Sequence, residues 1–189
     1  DQRSGATGMP ALLHRPFRTP RQGHLEGMSE AEKESLFKLI GLGGLKYYLL
    51  KVDPKKRMMF NPEESIELTG NTGPFIQYAH ARIHSLVTRA ESIGSFEGAN
   101  LGAEEKEIIK LLSQYPAVIQ EAAKELSPAL IANFVYELVK AFNHFYQSVP
   151  IHIEENLANK NLRLIICINV GKVINSGMSL LGIDVPEKM

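Results

Sequence analysis

Residues 127–150 read SPALIANFVYELVKAFNHFYQSVP, and this stretch decides the fold class. Ser127 followed by Pro128 is a helix start, because a proline at the first helical position loses no hydrogen bond. Leu130, Ile131, Phe134, Leu138, Val139, Phe142 and Phe145 then recur at three- and four-residue steps, which gives a helix one apolar face. Pro150 stops it. The spacing predicts a helix from 128 to about 149. Helical stability comes mostly from packing such a face, so partner helices are required.

Working outward, the same pattern returns. Ser29 and Glu32 have the spacing of a capping box, and Leu36, Leu39, Ile40, Leu42, Leu45, Leu49 and Leu50 follow as a helical stripe closed by Asp53-Pro54. Gly41, Gly43 and Gly44 are costly in mid-helix, which implies close approach of a neighbouring backbone. They do not make a dinucleotide loop, since the spacing is wrong and no strand precedes them. Lys55, Lys56 and Arg57 form a basic corner. Residues 58–70 read as an extended connection with one short strand, at 58–60 or 65–68. Gly73-Pro74 opens another helix with Phe75, Ile76, Tyr78, Ala79, Ile83, Leu86 and Val87 on its buried side. After a loop at 94–102, two shorter helices are expected at 103–114 and 116–126. A last helix runs from about 156 to 181 and ends at Gly182, as capping glycines do. The expectation is an all-α helical bundle of five or six helices. Its domains are a loose arm at 1–27, a connector helix and linker at 28–70, and the bundle at 71–189.

Composition agrees. The 189 residues are 44% hydrophobic, with Lys+Arg 21 against Asp+Glu 21. A chain of this length buries about 70% of its unfolded surface, enough for its own core. The one cysteine, Cys167, excludes a disulfide framework and a multi-cysteine zinc site. No run approaches the roughly 20 apolar residues of a spanning helix, so a soluble, intracellular protein without membrane contact is expected. The neutral total hides an asymmetry: 11 basic and 6 acidic residues at 1–60, 5 and 10 at 61–126, and 5 and 5 at 127–189. Coating of duplex DNA normally needs far more positive charge. The arm scatters Arg3, Arg15, Arg18 and Arg21 among Gly5, Gly8, Pro10, Pro16 and Pro20, which breaks any helix. Its first residue is Asp1, not Met, which points to a truncated or engineered start.

Little in the sequence looks like a reaction centre. His80 and His84 share a helical face as two zinc ligands would, but neither a third ligand nor a nearby cysteine accompanies them, so no metal is expected. Glu63 and Glu64 are adjacent on an extended segment and point to opposite faces. Cys167 sits among Leu164, Ile165, Ile166 and Ile168 as a small core residue. The long helix is more informative. Phe134, Tyr136, Phe142, Phe145 and Tyr146 share it with Lys140, Asn143 and His144, and Tyr146 at its end suits a stacking platform for an unpaired base. Two readings stay open on these residues: a nucleic-acid-binding bundle and a plain structural one.

A resemblance narrows them. Phe60-Asn61-Pro62-Glu63-Glu64-Ser65-Ile66, continuing through Gly70-Asn71-Thr72-Gly73-Pro74-Phe75-Ile76-Gln77-Tyr78-Ala79-His80-Ala81-Arg82-Ile83, resembles a characteristic segment of arginyl-tRNA synthetases. Gly41 to Tyr48 with Val52-Asp53-Pro54 looks like that family's connector after the catalytic domain, and Leu180 to Met189 is similar to its ending. The resemblance covers about 23–189 and implies the C-terminal part of a class I synthetase with its helical anticodon-binding domain, named DALR. Of those four letters Asn161-Leu162-Arg163 keeps the Leu-Arg half. The family's HIGH and KMSKS motifs are absent from these residues. ATP-dependent attachment of arginine to tRNA, with magnesium, would therefore belong to a missing catalytic domain, and this chain alone is expected to be inactive and to need no cofactor.

What the resemblance implies for this chain is recognition of the anticodon arm of tRNA(Arg), in the cytoplasm. Tyr146 would be the stacking surface, Asn143 and Lys140 the contacts to base edge and phosphate, and Met189 would add its side chain and terminal carboxylate. Arg82, Gln77 and Tyr78 are further candidates, with joining the helix to the catalytic fold as the competing role. The alternative function is a helical protein-interaction module without RNA binding, formed through the apolar side of the connector helix. The anticodon reading requires Tyr146 and Met189 to meet in one cleft.

Overall fold

The computed structural model describes residues 27–90 and 92–189, so most of the arm at 1–27 lies outside the described residues. Among the described residues six helices run in order: α1 Glu30–Leu50, α2 Pro62–Ser65, α3 Gly73–Thr88, α4 Ala103–Glu125, α5 Pro128–Ser148 and α6 Leu157–Leu180. The described residues contain no strand. The all-α expectation holds, and the limits of α1, α5 and α6 lie within a residue or two of those the caps and periodicity predict.

Helices α3 to α6 form a four-helix bundle. Tyr115 of α4 stacks on Phe134 of α5 at 5.6 Å between ring centres, and its hydroxyl meets Ser176 of α6 at 2.9 Å. Phe75 packs on Tyr136, and Arg82 bonds Asn143, so α3 and α5 run in the same direction. Gly171 lies against Ile83 and Gly94 against Asn161, so α6 runs opposite to α3. Val135, Leu138, Val139, Phe142, Val170, Ile174 and Met178 are fully buried along the axis. Cys167 is among them, and burial pushes its thiol pKa up to about 12.

Helix α1 crosses the base of this bundle, and its buried face differs from the leucine stripe. The residues buried are Leu36, Ile40, Gly43, Gly44, Tyr47 and Tyr48, while Leu49 is exposed. The glycines explain the rotation: a Cβ on Gly73 would stand 2.7 Å from the Gly43 carbonyl oxygen, so backbone touches backbone at this crossing. Burial raises the Tyr47 phenol well above its ordinary range, and its hydroxyl bonds both Asn71 at 2.6 Å and the Ala132 carbonyl at 2.9 Å. Asn71 in turn bonds Asn133, whose amide reaches the Lys51 carbonyl.

Two expectations need correction. The strand placed within 58–68 is instead the one-turn helix α2, because Asn61 accepts from the amides of Glu63 and Glu64 while Pro62 presets the first turn. The two helices expected at 103–114 and 116–126 are one helix, which runs straight through Pro116. Pro116 faces solvent, where water can take the carbonyl it frees, and Ile108, Tyr115 and Ala122 anchor the other face on both sides of it.

Candidate nucleic-acid interface

The parallel pair α3 and α5 leaves a groove between them, and its upper end opens into a cleft of about 690 Å³. This falls in the range of about 300–1,000 Å³ typical of ligand sites. Tyr78, Arg82, Ser85 and Arg89 line it from α3 and its C-cap, Tyr146 from α5, His152 from the loop that follows, and Lys188 and Met189 from the segment after α6. Tyr146 and Met189 therefore border the same cleft.

Arg82 is the centre of the arrangement. Its guanidinium lies 4.8 Å from the Tyr78 ring centre and 5.2 Å from that of Tyr146, and Nη1 donates to Asn143 Oδ1 at 3.0 Å. A cation held against two aromatic faces has its plane and position restricted, which favours flat partners and anions. Tyr146 is 40% exposed, with its other side tilted against buried Phe142 at 6.1 Å. With Phe142 and the Arg82 guanidinium both against it, the ring is held in place while part of it stays accessible to a ligand. The lining carries Arg82, Arg89 and Lys188 against the Glu187 side chain and the terminal carboxylate of Met189. The concavity therefore holds a small surplus of positive charge, with three cations able to meet an anionic ligand.

The remaining candidates sit differently. Lys140 does not line the cleft and lies about 9 Å along α5 from Tyr146 at 1.5 Å per residue. It is exposed, 5.4 Å from the Tyr136 ring, and bonded to Glu137, whose carboxylate holds the ammonium pKa above its ordinary range. Gln77 is fully buried, so its surface role is not available: Nε2 donates to the Asp184 carbonyl at 2.9 Å, and the side chain fills the space over Gly43. His80 and His84 turn towards the segment after α6, His80 Nδ1 at 2.9 Å from the Pro186 carbonyl and His84 Nε2 at 3.5 Å from Glu187. No group of three or more metal-ligating side chains occurs among the described residues. Arg89, His152 and Lys188 were not singled out from the sequence, since no spacing connects them to Tyr146.

One buried ion cluster supports the rim. Arg163 Nε donates to Glu105 at 2.9 Å, while Nη1 donates to Glu154 at 2.5 Å and to the Pro150 carbonyl at 2.8 Å. It ties the start of α4 to the loop that carries His152.

An all-α bundle that gathers cations and open aromatic rings at one end has the fold of class I synthetase anticodon-binding domains. The arginyl-tRNA synthetase of Thermus thermophilus superposes with a TM-score of 0.85 at 28% identity, over 98% of this chain and 33% of that one. That of Plasmodium falciparum shares the fold at 22% identity and a TM-score of 0.72, over 82% of this chain and 28% of that one. The chain belongs to the DALR anticodon binding domain family, which matches residues 76–189. Among curated relatives, the arginine–tRNA ligase of Flavobacterium psychrophilum is 55% identical over 88% of this chain, and that of Phocaeicola vulgatus 44% identical over 96%. The chain spans only 28% and 31% of those two proteins.

Proposed function

We propose that this chain is the anticodon-reading portion of an arginine–tRNA ligase, and that the cleft receives unpaired bases from the anticodon loop of tRNA(Arg). The observation that carries this reading is the convergence of Tyr78, Arg82, Tyr146 and Met189 on one open concavity that also holds Arg89 and Lys188. RNA is read mainly where loop bases splay out and stack, and such a concavity offers both a stacking face and donors to phosphate. Tyr146 supplies the face, Arg82 and Arg89 the charge, and Asn143 acts through Arg82 by holding the guanidinium. Lys140, further along α5, meets the phosphate backbone.

Attachment of arginine to the tRNA, with ATP and magnesium, falls to the catalytic portion of such a ligase, and this portion alone does not activate arginine. That catalytic portion is the second partner, seated against the exposed Leu49, Met59 and Phe60 beside α1. The place of action is the cytoplasm, where tRNA is charged. No helix of the described residues is long and apolar enough to cross a membrane.

The test is a titration of fluorescent anticodon stem-loops into the chain at two salt concentrations. A stem-loop with an arginine anticodon should bind more tightly than a mismatched one, with affinity falling as salt rises. Equal or absent binding, together with a tight dimer in sedimentation, would replace this reading with the protein-interaction one.

A further inference from the structure

The segment 184–189 reaches the cleft without a backbone–backbone hydrogen bond. Just past the end of α6, Gly182 with a φ of +66° turns the chain back, and the Ile183 amide closes the turn on the Met178 carbonyl at 2.9 Å. From Asp184 onward, among the described residues, the segment makes no backbone–backbone hydrogen bond. Its carbonyls are met by side chains instead. Lys46 donates to Gly182 at 2.5 Å and Gln77 to Asp184 at 2.9 Å, and His80 Nδ1 stands 2.9 Å from the Pro186 oxygen. These acceptors fall on every second residue, as one side of an extended chain does. The donors Gln77 and His80, with His84 beside Glu187, fall at i, i+3 and i+7, which is one stripe of α3.

We infer that Gln77, His80 and His84 are positioning residues: a ladder of side chains that replaces a partner strand and fixes residues 184–187, so that Lys188 and Met189 form a wall of the cleft shared with Tyr146. A carbonyl only accepts, so His80 carries its hydrogen on Nδ1. An asparagine amide can present a donor near the same place, whereas alanine cannot. Gln77 is buried to do this, leaving its Oε1 without a partner. The pair His80 and His84 has the spacing of metal ligands, but each imidazole is directed at the segment. The ladder itself stands on geometry alone; its consequence for RNA rests on the function proposed above.

The experiment uses the whole 189-residue chain with 13C-methyl methionine. The Met189 methyl resonance and hydrogen exchange at amides 184–189 report the segment directly, without RNA. His80→Ala should collapse the Met189 methyl towards its random-coil shift and expose those amides, and His80→Asn should restore both. Stem-loop affinity in His80→Ala should fall about threefold to tenfold, the worth of one or two lost hydrogen bonds. It should match Met189→Ala, with the double variant no worse than either. His84→Gln, at a half-exposed position, gives a milder form of the same change if His80→Ala does not fold. An unchanged methyl resonance and unchanged exchange in the folded variants would overturn the ladder. If the methyl responds while Met189→Ala binds stem-loops normally, the ladder stands and the RNA reading of this wall is wrong.

Discussion

Arg82 and Asn143, 61 residues apart, are joined by a 3.0 Å hydrogen bond that links α3 to α5 where the cleft opens. The bond holds the guanidinium between two tyrosine rings. If Tyr146 is a stacking platform, Tyr146→Ala should cost about 1–3 kcal/mol of stem-loop affinity, and Tyr146→Phe should cost almost nothing. Fluorescence anisotropy measures both. Equal losses would show that the hydroxyl, and not the ring face, is what matters.

The crossing of α1 over α3 depends on the absence of one methyl group. In Gly73→Ala the new Cβ meets only backbone, 2.7 Å from the Gly43 oxygen and 3.0 Å from the Gly44 Cα. Neither can rotate away, so the helices must part, at about 1–3 kcal/mol or more. Gly171→Ala meets one side-chain methyl of Ile83 at 3.1 Å and should lose less. Urea denaturation compares the two, and a larger loss in Gly171→Ala would contradict this account of the crossing.

Arg163→Met should destabilise the bundle strongly. Glu105 is 2% exposed, and Arg163 is the cation that neutralises it. Removing one member of such a pair leaves a buried charge, typically at about 3–5 kcal/mol. The double variant Arg163→Met with Glu105→Leu should recover much of the loss in the same denaturation assay. No recovery would mean that the bonds of Arg163 to Pro150 and Glu154 matter more than its charge.

Leu126→Gly should do the opposite and stabilise. Leu126 closes α4 at φ 51°, a left-handed conformation, with its side chain 81% exposed. The conformation costs a non-glycine residue about 1–2 kcal/mol, and little packing is lost by removing the side chain. After the entropy cost of glycine, a net gain of up to about 1 kcal/mol should raise the thermal midpoint by about 2–4 °C. Calorimetry showing a lower midpoint would mean that the leucine contributes packing.

Cys167 gives the pH dependence. Its ordinary thiol pKa of 9.0 rises to about 12 in the folded chain. The contribution to stability is fully present below pH 9 and is lost between 9 and about 12, because the unfolded thiol ionises first. Stability should therefore fall with rising pH in that window, and less so in Cys167→Ala. A thiol reagent at pH 8 should label Cys167 only on unfolding, and fast labelling of the native chain would contradict its burial.

The helices were legible because their signals are local. Ser29 with Glu32, Pro74, Pro128 and Gly182 mark ends, and the apolar steps between them need no knowledge of the rest. Pro116 misled because a proline's effect depends on which face it occupies, and only the packed bundle decides that. Tyr146 and Met189 were named together on resemblance, but spacing alone does not bring them together. Arg89, His152 and Lys188 come from three separate segments, and the ladder pairs Gln77 with Asp184 and His80 with Pro186, over separations of 107 and 106 residues. The spacing of His80 and His84 was visible, while the carbonyl that His80 serves was not. Arg163 was noted only as a letter of a family name, and its two carboxylate partners lie 58 and 9 residues away.

The cleft takes its walls from residues 78–89, 146–152 and 187–189. On a translating ribosome these emerge in that order, the last of them about a hundred residues after the first. Until residue 189 clears the exit tunnel, α3 and α5 can pair but the third wall is missing. A nascent chain therefore passes through a stage in which its bundle is nearly complete and its cleft is still open on one side.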